Sequence, residues 1–217
     1  MNKIEDWKNE RVGNFTASNI HKLLVSSKTK DKTFGETAMT YIYEIVASMM
    51  TGESKPSIST KEIEWGNNYE AEAMDAYIEI TGRKNVHYFG KENPVFFPLE
   101  GFFAGGSPDG LIENDRIIEI KCPFSSANHV ENSIMTLELF KKERKDYYAQ
   151  CQMNMIVTNT LYCDFCSYDP RVINEDHQLS ILVIPYDRVF CDNLTKRIEM
   201  AEELRGEIYN RIIGKAA

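Results

Sequence analysis

The sequence contains no run of 18 or more apolar residues, so nothing in it is expected to span a membrane. The first residues, MNKIEDWKNERVGNF, lack an apolar h-region and do not read as a secretory signal. No internal repeat, low-complexity tract or long linker is present, which excludes solenoid and collagen-like architectures. The cysteines are few: Cys122, Cys151, Cys163, Cys166 and Cys191 make an odd set without a disulfide framework, so reduced thiols in the cytoplasm are expected. His21, His87, His129 and His177 have no ligand spacing, and no Ser-His-Asp or Cys-His signature accompanies them. An excess of basic charge is also missing, since 25 Lys and Arg against 33 Asp and Glu leave a net charge of −8. That argues against a basic coat for DNA. It does not exclude a nucleic-acid enzyme, because a metal-dependent nuclease collects carboxylates and can concentrate its basic residues on one inner surface.

What is present suits one globular domain over residues 1–217, with 42% hydrophobic and 27% charged residues. Ser18 is placed to cap a helix over Asn19 to Val25, and a polar, basic loop follows from Ser26 to Lys32. Phe34 to Met50 predicts a helix stopped by Gly52. A Pro-containing loop at 53–58 precedes a second long helix, Ser59 to Thr81, closed by Gly82. Short apolar runs at Val86–Phe89, Val95–Phe97, Phe102–Gly105, Gly110–Ile112 and Ile117–Lys121 read as strands of a meander. A helix over Tyr147–Val157, strands at Leu161–Tyr168 and Leu179–Ile184, and a closing amphipathic helix Asp187–Ile213 complete the chain. The order predicts an α/β (α+β) fold, a central mixed β-sheet flanked by helices.

Three features converge on residues 70–121. In a strand Ile117-Ile-Glu119-Ile-Lys121, Glu119 and Lys121 share one face while Ile118 and Ile120 take the other. Such a triplet is either a surface ion pair or a carboxylate and an ammonium held side by side for chemistry. Ten residues earlier, Ser107-Pro-Asp109-Gly is a turn that can bring Asp109 beside Glu119. Glu70 falls on the stripe of Ile63, Gly66, Ala73, Met74 and Tyr77 on the second long helix. An inward carboxylate pairs with a base at the stripe's margin or binds a metal. Three oxygen donors without a histidine cluster suit Mg²⁺, with Mn²⁺ as a substitute. Two such ions would clamp an in-line phosphoryl displacement, and Lys121 would orient the attacking water and stabilise charge at phosphorus.

These residues resemble the PD-(D/E)xK nucleases, and beyond them the phage lambda-type exonuclease (viral recombinase) family. Arg11-Val-Gly-Asn-Phe-Thr16-Ala-Ser18, Trp65-Gly-Asn-Asn-Tyr-Glu70, Ser107-Pro-Asp109-Gly, Glu119-Ile-Lys121-Cys-Pro-Phe, Tyr148-Ala-Gln150-Cys-Gln152 and Tyr168-Asp-Pro-Arg171 look like that family and stand in the same order, over roughly Trp7 to Ile184. The resemblance implies a restriction-endonuclease-like core and a Mg²⁺-dependent 5′-to-3′ exonuclease. Such an enzyme degrades one strand of linear double-stranded DNA to mononucleotides and leaves a 3′ overhang. It also implies a ring-shaped homotrimer on DNA ends, a single-strand annealing protein as partner, and a cytoplasmic location. By position, Glu70, Asp109, Glu119 and the Ile120 carbonyl would hold two metal ions, Lys121 would be catalytic and Gln150 would support the site. Arg11, Thr16, Ser18 and Ser107 match a 5′-phosphate pocket. A helix opened at Ser18 would favour an anion, and Arg11 can grip a phosphate or instead pair with Glu10 or Asp6. Lys61 would sit on a phosphate, and Ile63 would act as a wedge between parting strands or belong to the core.

The segment Ser125-Ser-Ala-Asn-His129 carries no Arg or Lys, and the run Lys141-Lys-Glu-Arg-Lys145 either compensates or caps a helix end. Cys163 and Cys166 have C-x-x-C spacing, but in a strand they face opposite sides and no second pair exists. Two other readings stay open: a restriction- or junction-type endonuclease of the same superfamily, and a DNA-end-binding recombination subunit that does not cut.

Overall fold

The computed structural model describes residues 2–29, 31–54 and 60–214. Helix α1 (Lys3–Glu10) leads through strand β1 (Phe15–Thr16) and a 3-10 helix (Ala17–Leu24) to α2 (Glu36–Thr51) and α3 (Lys61–Thr81). Strands β2 (His87–Tyr88), β3 (Phe97–Pro98), β4 (Ala104–Gly106), β5 (Gly110–Ile112) and β6 (Arg116–Lys121) follow. Helices α4 (Ser126–Ser133), α5 (Leu137–Glu143) and α6 (Lys145–Thr158) come next, then β7 (Tyr162–Tyr168), β8 (Leu179–Pro185) and α7 (Arg188–Ile213). No helix among the described residues is long and apolar enough to cross a membrane.

The long helices end as the glycines predict: Gly52 and Gly82 take φ of 70° and 62°, the left-handed region that stops α2 and α3. Thr60 accepts the Ile63 N–H, so α3 starts at Lys61. The expected start at Ser59, most of the Pro-containing loop and Lys30 of the basic loop lie outside the described residues.

The mixed α/β architecture with flanking helices is as expected, but the strands do not form one meander. A five-stranded sheet has the order β2-β5-β6-β7-β8, with β6 and β7 parallel and the other neighbours antiparallel. Strands β3 and β4 leave it and join β1 in a second, three-stranded sheet, where β1 runs parallel to β4. The two-residue β1 is too short for any period to show. Gly105 and Gly106 let β4 lie flush against the Phe96 ring and the Asn154 amide, where any Cβ would collide.

Strand β6 is covered on both faces, as a central strand with a parallel neighbour requires. Ile118 and Ile120 pack with Ala73, Met74 and Tyr77 of α3, while Ile117 packs with Tyr148, Cys151 and Met155 of α6. The Glu119 and Lys121 face is therefore no solvated surface. A third core joins Phe15, Ile20, Leu23, Ile42, Met153, Leu194 and Ile198, and ties α2, α6 and α7 to the 3-10 helix. That helix corrects the expected cap. It begins at Ala17, Ser18 lies inside its first turn, and the Thr16 N–H goes to the Tyr41 hydroxyl at 2.8 Å.

Asp187 caps α7 and ties its start to α5 and α6. It accepts the Phe190 N–H at 3.1 Å, the Tyr148 hydroxyl at 2.8 Å and the Lys141 ammonium at 2.9 Å. Lys141 first, then the helix N–H, hold its pKa down at about 2. A carboxyl whose folded pKa is depressed stabilises above its unfolded value near 4, and that stability is lost as pH falls toward 2. Asp187→Ala should cost about 1–2 kcal/mol in urea unfolding at neutral pH, and the gap to wild type should close as pH drops from about 4 to 2. Equal unfolding midpoints at neutral pH would refute the cap.

Candidate active site

The groups picked out in the sequence gather where β6 leaves the sheet. Glu119 is 1% exposed. Its two oxygens receive the Lys121 ammonium at 2.6 Å, the Asn154 amide at 3.0 Å and a short hydrogen bond from the Gln150 amide. Gln150 and Asn154 lie four residues apart on α6, so one face of that helix delivers both. Burial works against the Lys121 ammonium, but the charges of Glu119 and Asp109 outweigh it and raise its pKa. Lys121 therefore stands as a cation.

On the other side of the strand end, Asp109 accepts the Ile120 N–H at 2.6 Å. Burial first, then the charge of Glu119, push the Asp109 carboxyl well above the usual range. Glu70, one turn before Ala73 and Met74 on α3, accepts the Tyr88 hydroxyl at 3.1 Å. Burial raises its pKa too, with Glu119 adding to the shift and Lys121 opposing it. Glu70, Asp109, Glu119 and Lys121 thus feel one another's charge. Two residues absent from the sequence-based set, Tyr88 and Asn154, complete the arrangement. Asn154 carries a readable signal, one turn beyond Gln150. Tyr88 carries none, because only the β2–β5 pairing brings it there.

Glu70, Ile120, Lys121 and Gln150 line a cleft of about 1000 Å³, and Asp109 and Glu119 stand behind its wall. The lining is acidic, with Glu62, Glu70, Glu131, Glu143 and Asp146 against Lys121 and Arg144, and Arg144 is itself paired with Glu131. The basic run before α6 does not compensate, since Lys141 pairs with Asp187 and Lys142 with Glu143. His129 is buried between Ser167 and the His177 carbonyl. As oriented, no three His, Cys, Asp or Glu side chains among the described residues stand close enough to hold a metal ion. Their oxygens are turned onto protein donors instead. The donor chemistry still fits a divalent cation: all three carboxylates offer hard oxygen, and their mutual repulsion is what such an ion relieves.

A second group meets beside the cleft. The Arg11 guanidinium lies 4.3 Å over the Trp7 ring, and the Trp7 N–H donates to Ser107 at 2.9 Å. Thr16 and Ser18 hydroxyls stand 3.4 Å apart, and Ser18 also lines the cleft. Burial pulls the Arg11 pKa down, and among the described residues no ion pair joins it to Glu10 or Asp6. Trp7 is the organiser that the sequence motif leaves out. Lys61 is exposed at the first turn of α3, and Ile63 is 48% exposed and lines the cleft, so Ile63 is not core. Cys163 and Cys166 belong to different core clusters, and all five cysteines are free and buried.

The sequence profile of the YqaJ-like viral recombinase domain matches residues 6–160. Among solved structures, the chain is similar to LHK-Exo in complex with dAMP, with 27% identity and a TM-score of 0.79 over 98% of this chain and 100% of that one. It is also similar to LHK-Exo, an alkaline exonuclease from Laribacter hongkongensis, with 26% identity and a TM-score of 0.80 over 98% and 97% of the two chains. A phage-related exonuclease from Haemophilus somnus 129PT shares the fold at 19% identity, with a TM-score of 0.71 over 94% and 96%. No curated protein matches the sequence significantly.

Tyr88 donates to Glu70 and so opposes the rise of its pKa. Tyr88→Phe should move the Glu70 carboxyl titration further upward in the protein without added metal, read by carboxyl ¹³C shifts. A downward movement would break the assignment.

Proposed function

The chain belongs to the YqaJ-like viral recombinase family, and from that premise we propose that it is a Mg²⁺-dependent exonuclease that degrades one strand of linear duplex DNA from its 5′ end. The observation that carries this reading is the charge-coupled group of Glu70, Asp109, Glu119 and Lys121 at one strand end, opening on a cleft. The likeness of the whole chain to an alkaline exonuclease whose structure holds dAMP supports a mononucleotide product.

Glu70, Asp109, Glu119 and the Ile120 carbonyl would hold two Mg²⁺ ions, or Mn²⁺ in their place. The ions would supply a polarised phosphoryl oxygen and a water of lowered pKa. The chain's own residues do the rest. Lys121, held as an ammonium, stabilises the negative charge that builds at phosphorus. Gln150 and Asn154 fix the Glu119 carboxylate from behind. Arg11 is a half-buried cation without an acidic partner among the described residues, and with Thr16, Ser18 and Ser107 it takes the 5′-phosphate. Ile63, which lines the cleft, would wedge between the parting strands, and Lys61, exposed two residues before it, would meet a phosphate.

The product is duplex with a 3′ single-stranded overhang, which a single-strand annealing protein then coats in the cytoplasm. A homotrimeric ring around the duplex would make digestion processive and would turn one set of basic residues inward. Sedimentation at micromolar concentration should give three chains per particle. A monomer under DNA-binding conditions would remove the ring.

The decisive experiment follows an end-labelled linear duplex and a covalently closed circle. With Mg²⁺ the linear duplex should be consumed, faster with a 5′-phosphate, while the circle stays intact and chelation stops the reaction. Cutting of the circle would indicate an endonuclease, and no cutting of either would leave an end-binding subunit. Lys121→Gln keeps a donor for Glu119 but removes the cation. It should slow digestion at least about a hundredfold while end binding persists, and a normal rate would overturn the role of Lys121.

A further inference from the structure

The Tyr168-Asp-Pro-Arg171 motif touches none of the carboxylates, yet it converges on the cleft with two other motifs. Asp169 accepts from Arg171 at 2.8 and 2.9 Å, which fixes the guanidinium. Arg171 also donates to the Pro123 carbonyl at 3.3 Å and lies 4.3 Å over the Trp65 ring. The Trp65 ring centroid lies 4.3 Å from that of Tyr69 on α3 and 5.9 Å from that of Phe124, the latter in a T-shaped pair. The outer member of this stack, Phe124, is 44% exposed and lines the cleft. A large apolar ring held at the wall of an acidic cleft, and braced from behind by an indole and a fixed cation, loses little rotamer freedom when a flat partner settles on it.

We propose that Phe124, braced by Trp65 and Arg171, is a stacking platform for the nucleobase of the terminal nucleotide at a DNA end. This rests on the exonuclease reading and deepens it. Phe124 follows Lys121 by three residues, no more than about 10 Å of chain. A nucleotide whose phosphate meets Lys121 therefore has its base within range of the ring. The ring offers no donor and no charge, so it cannot hold a phosphate, and a base face is the flat apolar surface that a nucleotide carries. Stacking of this kind is tolerant of sequence, which suits an enzyme that must accept every base in turn.

The test uses the whole protein, linear duplex, and the same duplex with an abasic 5′-terminal nucleotide. Loss of one stacked base weakens binding by about 5- to 100-fold. Phe124→Ala should raise KM by a factor in that range on the ordinary end, with a smaller change in kcat. Wild type should lose a similar factor on the abasic end, and Phe124→Ala should lose nothing further there. Phe124→Trp should restore the ordinary end. An equal loss on both ends, or none, would overturn the proposal. Equilibrium binding of a duplex with 2-aminopurine at its terminus separates this from the parent reading. With Ca²⁺ in place of Mg²⁺, a hard divalent ion that neutralises the lining but prefers a looser coordination than the reaction needs, wild type and Phe124→Trp should quench the base and Phe124→Ala should not. A stacked base in a protein that fails to digest DNA would sink the exonuclease reading alone. Digestion without quenching would sink the platform alone.

Discussion

The structure turns on a carboxylate that is almost wholly out of water. Glu119 is 1% exposed, and an uncompensated charge at such depth costs several kcal/mol. The fold meets that demand with donors from two elements. Lys121 comes from the same strand two residues on, and Gln150 and Asn154 come from consecutive turns of α6. The helix must then lie close across β6, and the strand on its other flank must leave room. Gly106 in β4 does so, because the Asn154 amide occupies the place a Cβ would take. One buried charge therefore accounts for the two amides of α6 and for Gly106 of β4, while Gly105 makes room for the Phe96 ring.

The opposite side of the same strand end repeats the problem with less compensation. Asp109 has one backbone N–H and Glu70 one tyrosine hydroxyl, and both carboxyls are pushed upward, first by burial. A chain selected for stability alone gains nothing by setting three carboxylates within range of one another around a single ammonium. Groups perturbed by burial and by like charge at the edge of a cleft are what functional sites present, and the proposed divalent ions would relieve that repulsion. The oxygens turned onto protein donors and the shifted titrations are two views of that same condition.

How much of this was legible in the sequence depends on the range of each interaction. Local signals read well: Gly52 and Gly82 end their helices, and Glu119 and Lys121 share a face because side chains alternate in a strand. Asp109 and Glu70 were placed near them by a turn and by a helical stripe. What alternation could not say is that α6 would cover that face, since a parallel neighbour joined through a long crossover leaves no local trace. The same limit hid β1, two residues long and paired with residues nearly ninety positions later. It also hid Tyr88, which reaches Glu70 only through the pairing of β2 with β5. Ser18 failed as a cap for a nearer reason, since the Tyr41 hydroxyl bonds the Thr16 N–H and the chain tightens into a 3-10 helix two residues early.

The acidity that argues against DNA binding at the level of the whole chain recurs in the cleft, and there it changes meaning. Three basic groups in or beside the cleft are already engaged with carboxylates. Lys121 neutralises Glu119, Arg144 pairs with Glu131, and Lys141 pairs with Asp187. A phosphodiester approaching this lining meets repulsion unless divalent ions lie between, and in the proposed reaction those ions are also what the chemistry needs. Binding and catalysis then depend on the same neutralisation. In the proposed reaction the end of the strand would meet Arg11, which has no acidic partner among the described residues. In that proposal a cleft built this way would reject bare polyanions and admit DNA where metal and a free end coincide.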